Sequence, residues 1–208
     1  MSLLKSSLYR VDAVRDNRRA ASLPGAKDTL TPRAKQALTP LISQEKIQAR
    51  LQELGHQITE DYRGKDLHVL GVLDNSFVFM ADLLRTLDLE LECEFIKPLY
   101  RDRQQGITST KEIFFSPEIS VRGHHVLLVD VLIHSGVTTD FLMSGFYARG
   151  AASVKLAALL DRQSARKVPL QPDYCGFPLD DRFVVGYGLG GPVVGRNLPY
   201  LAVGEPVT

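Results

Sequence analysis

The sequence contains little cysteine, almost no net charge and no long hydrophobic run. Cys93 and Cys175 are its two cysteines, and no pattern of spacing supports a disulfide between them. We therefore expect both to be buried, reduced thiols of a cytoplasmic protein. A net charge of +1 at pH 7 gives no overall reason to expect binding to nucleic acid or to a membrane. We also expect neither a membrane span nor a secretory signal, because no apolar run of either kind is present.

The chain divides near residue 38 into a basic segment and a segment of ordinary globular composition. Residues 1–38 carry eight Lys and Arg against three Asp, with little apolar periodicity. This composition predicts a flexible, solvated extension, and the alternative is an arm that contacts nucleic acid or an acidic partner. The extension lacks the interleaved aromatic residues typical of nucleic-acid arms, which favours the solvated tail. Residues 39–208 are long enough to bury a full core.

The apolar pattern of residues 39–208 alternates between strands and helices. A helix capped by Ser43 is predicted because Ile47, Leu51, Leu54 and Ile58 recur at helical spacing. The other predicted elements are a strand over 67–73, a helix over 77–87 with the stripe Phe77, Met80, Leu84 and Leu87, a half-exposed strand over 89–96, a strand from 124 to 130, a helix over 139–149 ended by Gly150, and strands over 154–160, 174–177, 183–187 and 200–203. Residues 97–117 lack a firm pattern and are predicted to form a long lid or binding loop. This alternation predicts an α/β fold with a twisted, mainly parallel sheet and helices on both faces.

The stretch His124–Thr139, HHVLLVDVLIHSGVTT, carries the strongest functional signal. An apolar run ending near Asp130 is followed by a polar turn of small residues, Ser135–Thr139, which we call the phosphate turn. Ligands of open α/β sheets bind at the carboxyl ends of strands, and a helix that opens on such a turn presents N–H groups to a phosphate. The neighbours His124 and His125 point to opposite faces of a strand, which favours a structural role over a shared metal site.

Several longer segments resemble one family, in that family's order: ITEDYRGKDL, GVLDNSFVFMADLLR, ARGAASVKLAALLDR, RKVPLQPDYCGFPL, RFVVGYGL and RNLPYLAV. From about Leu41 to Pro206 the chain is similar to the hypoxanthine-guanine phosphoribosyltransferases. The resemblance implies the type I phosphoribosyltransferase fold with a small hood region. It also implies a reaction that joins a purine base to phosphoribosyl pyrophosphate, giving IMP or GMP, with Mg²⁺ as the cofactor. The family further implies a homodimer or homotetramer.

The family's signature has two adjacent acids, two apolar residues, a third acid and then Ser/Thr-Gly-x-Thr. Here Asp130 fills the first acidic position, Val131 takes the second and His134 takes the third. The resemblance assigns the phosphate turn (Ser135, Gly136, Val137, Thr138 and Thr139) to the 5′-phosphate. His134 is a candidate replacement base, because an imidazole titrates near neutrality, but its differently shaped ring favours a space-filling role. Loss of a general acid–base group costs on the order of 10²–10⁴ in rate.

Other positions that match the family's motifs also differ from its pattern. Asp74 and Asn75 replace the Lys-Gly of the pyrophosphate loop, which exchanges a cation for an anion. Gly190 replaces an acid near the pyrophosphate. The resemblance implies a purine site of Arg162 in place of a Lys, Phe183 as the stacking ring and Val184 as a backbone contact; Arg196 matches a basic residue near the phosphate end, and Tyr100 matches a mobile-loop tyrosine.

The residues that hold a purine and a 5′-phosphate are thus kept, while those for metal, pyrophosphate and proton transfer are changed. This division predicts a homologue that binds purine nucleotide and performs phosphoribosyl transfer weakly or not at all. One alternative is an active salvage enzyme that uses Mg²⁺, purine base and phosphoribosyl pyrophosphate. A second is a purine-sensing regulator that uses the basic extension. No set of metal ligands stands out in the sequence, and neither a membrane nor nucleic acid is an expected partner.

Overall fold

The computed structural model describes residues 38–105, 108–114, 119–190 and 195–204. The basic extension predicted over residues 1–38 lies outside these residues, apart from residue 38 itself. The described chain forms, in order, β1 (Thr39–Ile42), α1 (Gln44–Tyr62), β2 (Leu67–Val72), α2 (Phe77–Leu84), β3 (Leu91–Ile96), β4 (Leu99–Gln105), β5 (Thr108–Phe114), β6 (His125–Ile133), α3 (Val137–Ala148), β7 (Ser153–Asp161), a 3₁₀ turn (Gln163–Ala165), β8 (Tyr174–Pro178), β9 (Val184–Val185) and β10 (Leu201–Val203).

A five-stranded parallel sheet forms the centre of the fold, with strand order β3-β2-β6-β7-β8. One apolar cluster joins α1 and α2 to one face of the sheet, and a second cluster joins α3 to the other face. Alternate residues of β6 belong to opposite clusters, Leu127 and Val129 to the first and Val126 and Leu128 to the second, as the two-residue period of a strand requires. The predicted α/β sandwich is therefore confirmed.

Local signals in α1 account for its start and its orientation. The Ser43 hydroxyl accepts a hydrogen bond from the Lys46 N–H at 3.4 Å, and a cap of this kind is worth about 1 kcal/mol. The predicted apolar stripe, from Ile47 to Ile58, is fully buried against the sheet. The predicted cap and apolar stripe are both confirmed, and the helix continues to Tyr62.

The predicted limits and buried face of α2 are wrong in part. The helix ends at Leu84 and not at 87, and it buries Phe79, Met80 and Leu83, whereas Phe77 is 45% exposed. Both sets of residues satisfy a 3.6-residue period, so spacing alone does not choose between them. The sheet contact does, because Met80 lies against Gly71 of β2, where an added Cβ would come within 2.2 Å of the Met80 Sδ.

The prediction that both cysteines are buried is also wrong. Cys93 and its neighbour Phe95 are exposed on β3, and Cys175 is half-buried; neither cysteine forms a disulfide. The reason is the position of β3 at the edge of the sheet, where β2 is its one partner among the strands that the structure describes. Alternation in the sequence marks a strand but does not show whether a helix covers its apolar side.

Residues 97–117 contain regular structure in place of the predicted long loop. β4 and β5 pair antiparallel from Leu99 with Phe114 to Gln105 with Thr108, which makes a two-stranded ribbon. The small sheet β1-β10-β9 is likewise antiparallel and supplies the predicted hood region. Within the described ranges, no helix has the length and apolar character needed to cross a membrane.

Candidate functional site

A cavity of about 230 Å³ opens where β2 and β6 end and α3 begins. This is the carboxyl edge of the parallel sheet, where α/β proteins bind their ligands. Its lining combines the end of β6, the phosphate turn and the loop after β2: Val72, Leu73, Asn75, Pro98, Asp130, Leu132, His134, Ser135, Gly136, Thr138 and Thr139. The fold thus brings together most of the residues that the resemblance assigned to the ribose, phosphate and pyrophosphate.

The phosphate turn is shaped by Gly136, the N-cap of α3. Its φ of 77° lies in the left-handed region that favours glycine. A Cβ at this position would also lie 2.9 Å from Cγ2 of Val168 and 3.0 Å from Cδ of Arg166. The first N–H groups of α3 lack intrahelical acceptors and carry the positive end of the helix dipole. This arrangement suits a phosphate.

A loop after β7 holds the phosphate turn in place, and sequence reasoning missed it. Arg166 forms an ion pair with Asp161 that is almost fully buried, and its other guanidinium nitrogen donates to the His134 carbonyl at 3.3 Å. The Lys167 N–H donates to the Ser135 carbonyl at 2.9 Å. The loop therefore bonds both His134, which immediately precedes the phosphate turn, and Ser135, its first residue. The sequence gives no signal for this role, because Asp161 and Arg166 are only five residues apart, whereas the residues that they hold in place lie about 30 positions earlier in the chain.

Asp130 is the only carboxylate among the described residues that line the cavity. Burial raises its pKa to about 7, although the backbone N–H groups of Val131 and Leu132 oppose the shift. At neutral pH the carboxyl group is therefore divided between its protonated and ionised forms. In the ionised form it can accept hydrogen bonds from ribose hydroxyls.

The side chains of Val131 and His134 have opposite surroundings. Val131 is 1% exposed and belongs to the cluster under α1 and α2, so its side chain faces away from Asp130 and the cavity. His134 is exposed and lines the cavity. An imidazole therefore stands at the cavity where the family's third acid would be, and the second acidic position is part of the apolar core.

The loop after β2 neutralises much of its own charge. The Asp74 carboxylate lies 3.1 Å from the Lys97 ammonium, with both groups more than half exposed, so the pair is screened by water. Arg196 donates to the carbonyls of Asp74 at 2.6 Å and Gly188 at 2.9 Å. The basic residue predicted near the phosphate end is thus bonded to this loop. Asn75, in contrast, lines the cavity.

The residues predicted to contact the purine are not part of the cavity's lining. The Arg162 N–H donates to the Ile133 carbonyl at 3.0 Å, which places this residue next to the end of β6. Its guanidinium donates to the Arg182 carbonyl at 2.5 Å, while its Nε is buried without a hydrogen-bond partner. Val184 pairs with β10 in the hood, and Phe183 is half-buried beside it.

The residues at the cavity do not form a magnesium site of their own. Mg²⁺ binds through hard oxygen ligands, with one or two carboxylates plus substrate phosphates. The cavity offers Asp130, whose pKa near 7 leaves it partly protonated, while Gly190 provides no carboxylate and Asp74 is paired with Lys97. Asp130 is thus the one carboxylate that the described lining residues could offer, and any Mg²⁺ here would be held mainly by substrate phosphates.

Comparison with known proteins gives a consistent result. Residues 41–190 match the phosphoribosyl transferase domain family. The hypoxanthine-guanine phosphoribosyltransferase of Bacillus subtilis is 37% identical over 166 residues, which cover 80% of this chain and 92% of that protein. The solved structure of the same enzyme from Bacillus anthracis covers 79% of this chain and 96% of its own, with a TM-score of 0.69 and 34% identity. That of a Staphylococcus aureus hypoxanthine phosphoribosyltransferase covers 80% and 91%, with a TM-score of 0.72 and 33% identity.

Proposed function

The chain belongs to the hypoxanthine-guanine phosphoribosyltransferase family, and on that premise we propose that it binds purine nucleotide while transferring phosphoribosyl groups weakly or not at all. The observation that carries the proposal is that the cavity keeps its phosphate-binding residues but has few of the acids that transfer requires. Its phosphate turn is complete, and Arg166 and Lys167 anchor it through the carbonyls of His134, just before it, and Ser135, its first residue, whereas Asp130 is the sole carboxylate among the described lining residues.

Binding needs groups for the three parts of a nucleotide. The N–H groups of the phosphate turn and the hydroxyls of Thr138 and Thr139 would hold the 5′-phosphate. Asp130 would accept from the ribose hydroxyls in its ionised form. Arg162 would donate to a purine carbonyl, and Phe183 would stack against the base. For this contact the Arg162 guanidinium must leave the Arg182 carbonyl. The Nε of Arg162, which is buried without a partner, is consistent with an acceptor supplied by the ligand.

Transfer makes demands that these residues do not meet. The transition state is positive at the ribose carbon, and the departing pyrophosphate carries several negative charges that need cations. Asp74 places a carboxylate at the pyrophosphate loop, where it repels the anion; two like unit charges 4 Å apart repel by about 4 kcal/mol at an effective dielectric of 20. That figure is an upper scale, because Lys97 and water screen Asp74. Proton transfer from the purine would depend on His134 or on the partly protonated Asp130.

The experiment is calorimetry of the full chain with IMP, GMP and phosphoribosyl pyrophosphate, each with and without Mg²⁺, beside a transfer assay. We expect nucleotide binding that does not need the metal, and little or no IMP or GMP formation. Gly136→Ala should abolish this binding, and Gly123→Ala is its matched control, because Gly123 has a similar φ of 82° with nothing near its absent Cβ. Robust Mg²⁺-dependent formation of IMP or GMP by the purified protein would overturn the proposal.

The position of His134 favours a second candidate, an active purine salvage enzyme. Its exposed imidazole lines the same cavity as Asp130, which is where a base for the purine N–H would stand. If the protein is such an enzyme, its transfer rate is measurable, and His134→Ala should lower that rate on the order of 10²–10⁴-fold, which is the effect of losing a general base. His134→Asp should then change an existing rate and not create one.

A further inference from the structure

The amino-terminal ends of the parallel strands carry a second cluster of ionisable side chains, away from the cavity. His68 lies in β2 and pairs directly with Glu92 of β3. His124 immediately precedes β6, whose first residue pairs with Leu67. One ligand atom from each of His68, Glu92 and His124 lies within 4.8 Å of the other two.

The two histidines of this cluster are short of hydrogen bonds. His68 is 2% exposed, and both of its ring nitrogens are buried without a hydrogen-bond partner. The Glu94 carboxylate lies 3.3 Å from its Nε2, close enough for an ion pair but not aligned for a hydrogen bond. His124 Nδ1 is in the same state, with the Asp66 carboxylate 3.1 Å away. A buried polar group without a partner is costly and points to a ligand.

We propose that His68, Glu92 and His124 bind a divalent ion of the zinc class. Two imidazole nitrogens and one carboxylate oxygen form a three-ligand set that Zn²⁺ accepts in tetrahedral geometry, with water in the fourth position. Bonds of about 2.0–2.1 Å require ligand atoms about 3.3–3.5 Å apart. The ligand atoms lie within 4.8 Å of one another, so binding requires Glu92, which is exposed on the edge strand, to rotate and the two imidazoles to move slightly closer.

The surroundings favour a cation and exclude Mg²⁺ as its identity. Asp66 lies 3.1 Å from Nδ1 of His124 and Glu94 lies 3.3 Å from Nε2 of His68; each carboxylate would orient its imidazole through that nitrogen, while the ring's other nitrogen binds the ion, as carboxylates around metal-bound histidines do. Mg²⁺ prefers an all-oxygen octahedron, whereas two of the three ligands here are nitrogens. The bound ion would tie β2, β3 and the start of β6 together at one edge of the sheet.

The test uses the untagged full chain, treated with chelator and then titrated with ZnCl₂ by calorimetry. We expect one ion per chain, and a tetrahedral d–d spectrum when Co²⁺ is used instead. At a free Zn²⁺ concentration of 100 Kd, the Tm should rise by about 5–10 °C. Millimolar Mg²⁺ should not compete.

Variants at partly or fully exposed positions separate binding from folding. Glu92→Gln and His124→Gln should each raise the Kd for Zn²⁺ at least about tenfold, since even outer-shell changes have effects of 10–100-fold. His56→Gln removes an exposed imidazole of α1 that is outside the cluster and should leave the Kd unchanged. Circular dichroism without metal would confirm that all three variants fold.

Three results would overturn the proposal: no saturable binding of Zn²⁺, equal affinity in the wild type and both cluster variants, or displacement of Zn²⁺ by Mg²⁺. Nucleotide binding should be the same in Glu92→Gln as in the wild type. The metal site and the proposed function can therefore fail independently.

Discussion

Replacing Arg166 with Met tests whether the buried ion pair with Asp161 holds the phosphate turn in position. The two side chains are 12% and 4% exposed, so water cannot solvate the charge that remains when one partner is removed. Met keeps much of the arginine's apolar stem and volume. The substitution therefore isolates the guanidinium, which also donates to the His134 carbonyl.

The expected cost follows from the exposure of the pair. Breaking a buried ion pair by removing one partner typically costs about 3–5 kcal/mol, because an uncompensated charge is left in the interior. For a chain of this size, each kcal/mol lowers the Tm by about 2–4 °C, so Arg166→Met should melt about 6–20 °C below the wild type. Affinity for IMP should also fall, since the turn loses one of its fixed points.

The control is Arg63→Met, which removes a guanidinium paired with Glu60 on the surface of α1. Arg63 is 66% exposed, and exposed pairs of this kind are worth about 0–1 kcal/mol. The double variant Asp161→Asn/Arg166→Met removes both charges and should recover part of the lost stability. Urea denaturation of the four variants, with Asp161→Asn alone completing the cycle, gives the coupling free energy.

The reasoning is refuted if Arg166→Met costs no more than Arg63→Met, or if the two single costs simply add in the double variant. A third result would refute only the link to the ligand: a strongly destabilised Arg166→Met protein whose affinity for IMP, measured well below its Tm, equals that of the wild type.

Further expectations concern three residues of the turn and of β6. Gly136→Ala should cost about 2–3 kcal/mol in urea denaturation, because alanine is strained at a φ of 77° and its Cβ would meet Val168; a cost equal to that of Gly123→Ala would contradict this. The pKa of Asp130, near 7 when folded and about 3.9 when unfolded, means that this group alone contributes a loss of stability of about 2–4 kcal/mol as pH rises from 4 to 7. In Asp130→Asn the free energy of unfolding should lack this contribution between pH 4 and 7. If the two proteins gave parallel profiles of stability against pH, the pKa of Asp130 would not be raised. Val131→Asp should cost more than about 3 kcal/mol at pH 8 without raising the transfer rate, whereas the isosteric Val131→Thr should cost less; an increase in transfer rate would show that this side chain reaches the cavity.

Local signals allowed much of the fold to be predicted. The Ser43 cap and the apolar stripe of α1 depend on residues within a few positions of each other, and the structure confirms both. The same holds for the turn between β6 and α3, where the glycine, the small residues and the preceding apolar run are consecutive. Structure that is specified within one segment can be inferred from that segment.

Features that depend on distant partners could not be predicted. The exposure of Cys93 and Phe95 follows from the edge position of β3, which is a property of the whole sheet. The role of Asp161 and Arg166 depends on a hydrogen bond to His134, which lies about 30 residues earlier in the chain. The cluster of His68 and His124 requires the parallel register of three strands, which no spacing in the sequence records.

The altered and retained positions differ in what they contribute to folding. Gly136 shapes the start of α3 and the Asp161–Arg166 pair fills the space behind it, so their loss would destabilise the protein with or without a ligand. Acids at the cavity have the opposite effect, since burial of a carboxylate costs free energy, and Val131 in the apolar core avoids that cost. The residues of the phosphate turn therefore serve folding as well as phosphate binding. Asp130 has no such role in folding, because burial raises its pKa and its ionised form destabilises the fold; ribose hydroxyls that donate to this carboxylate give a physical reason for its presence.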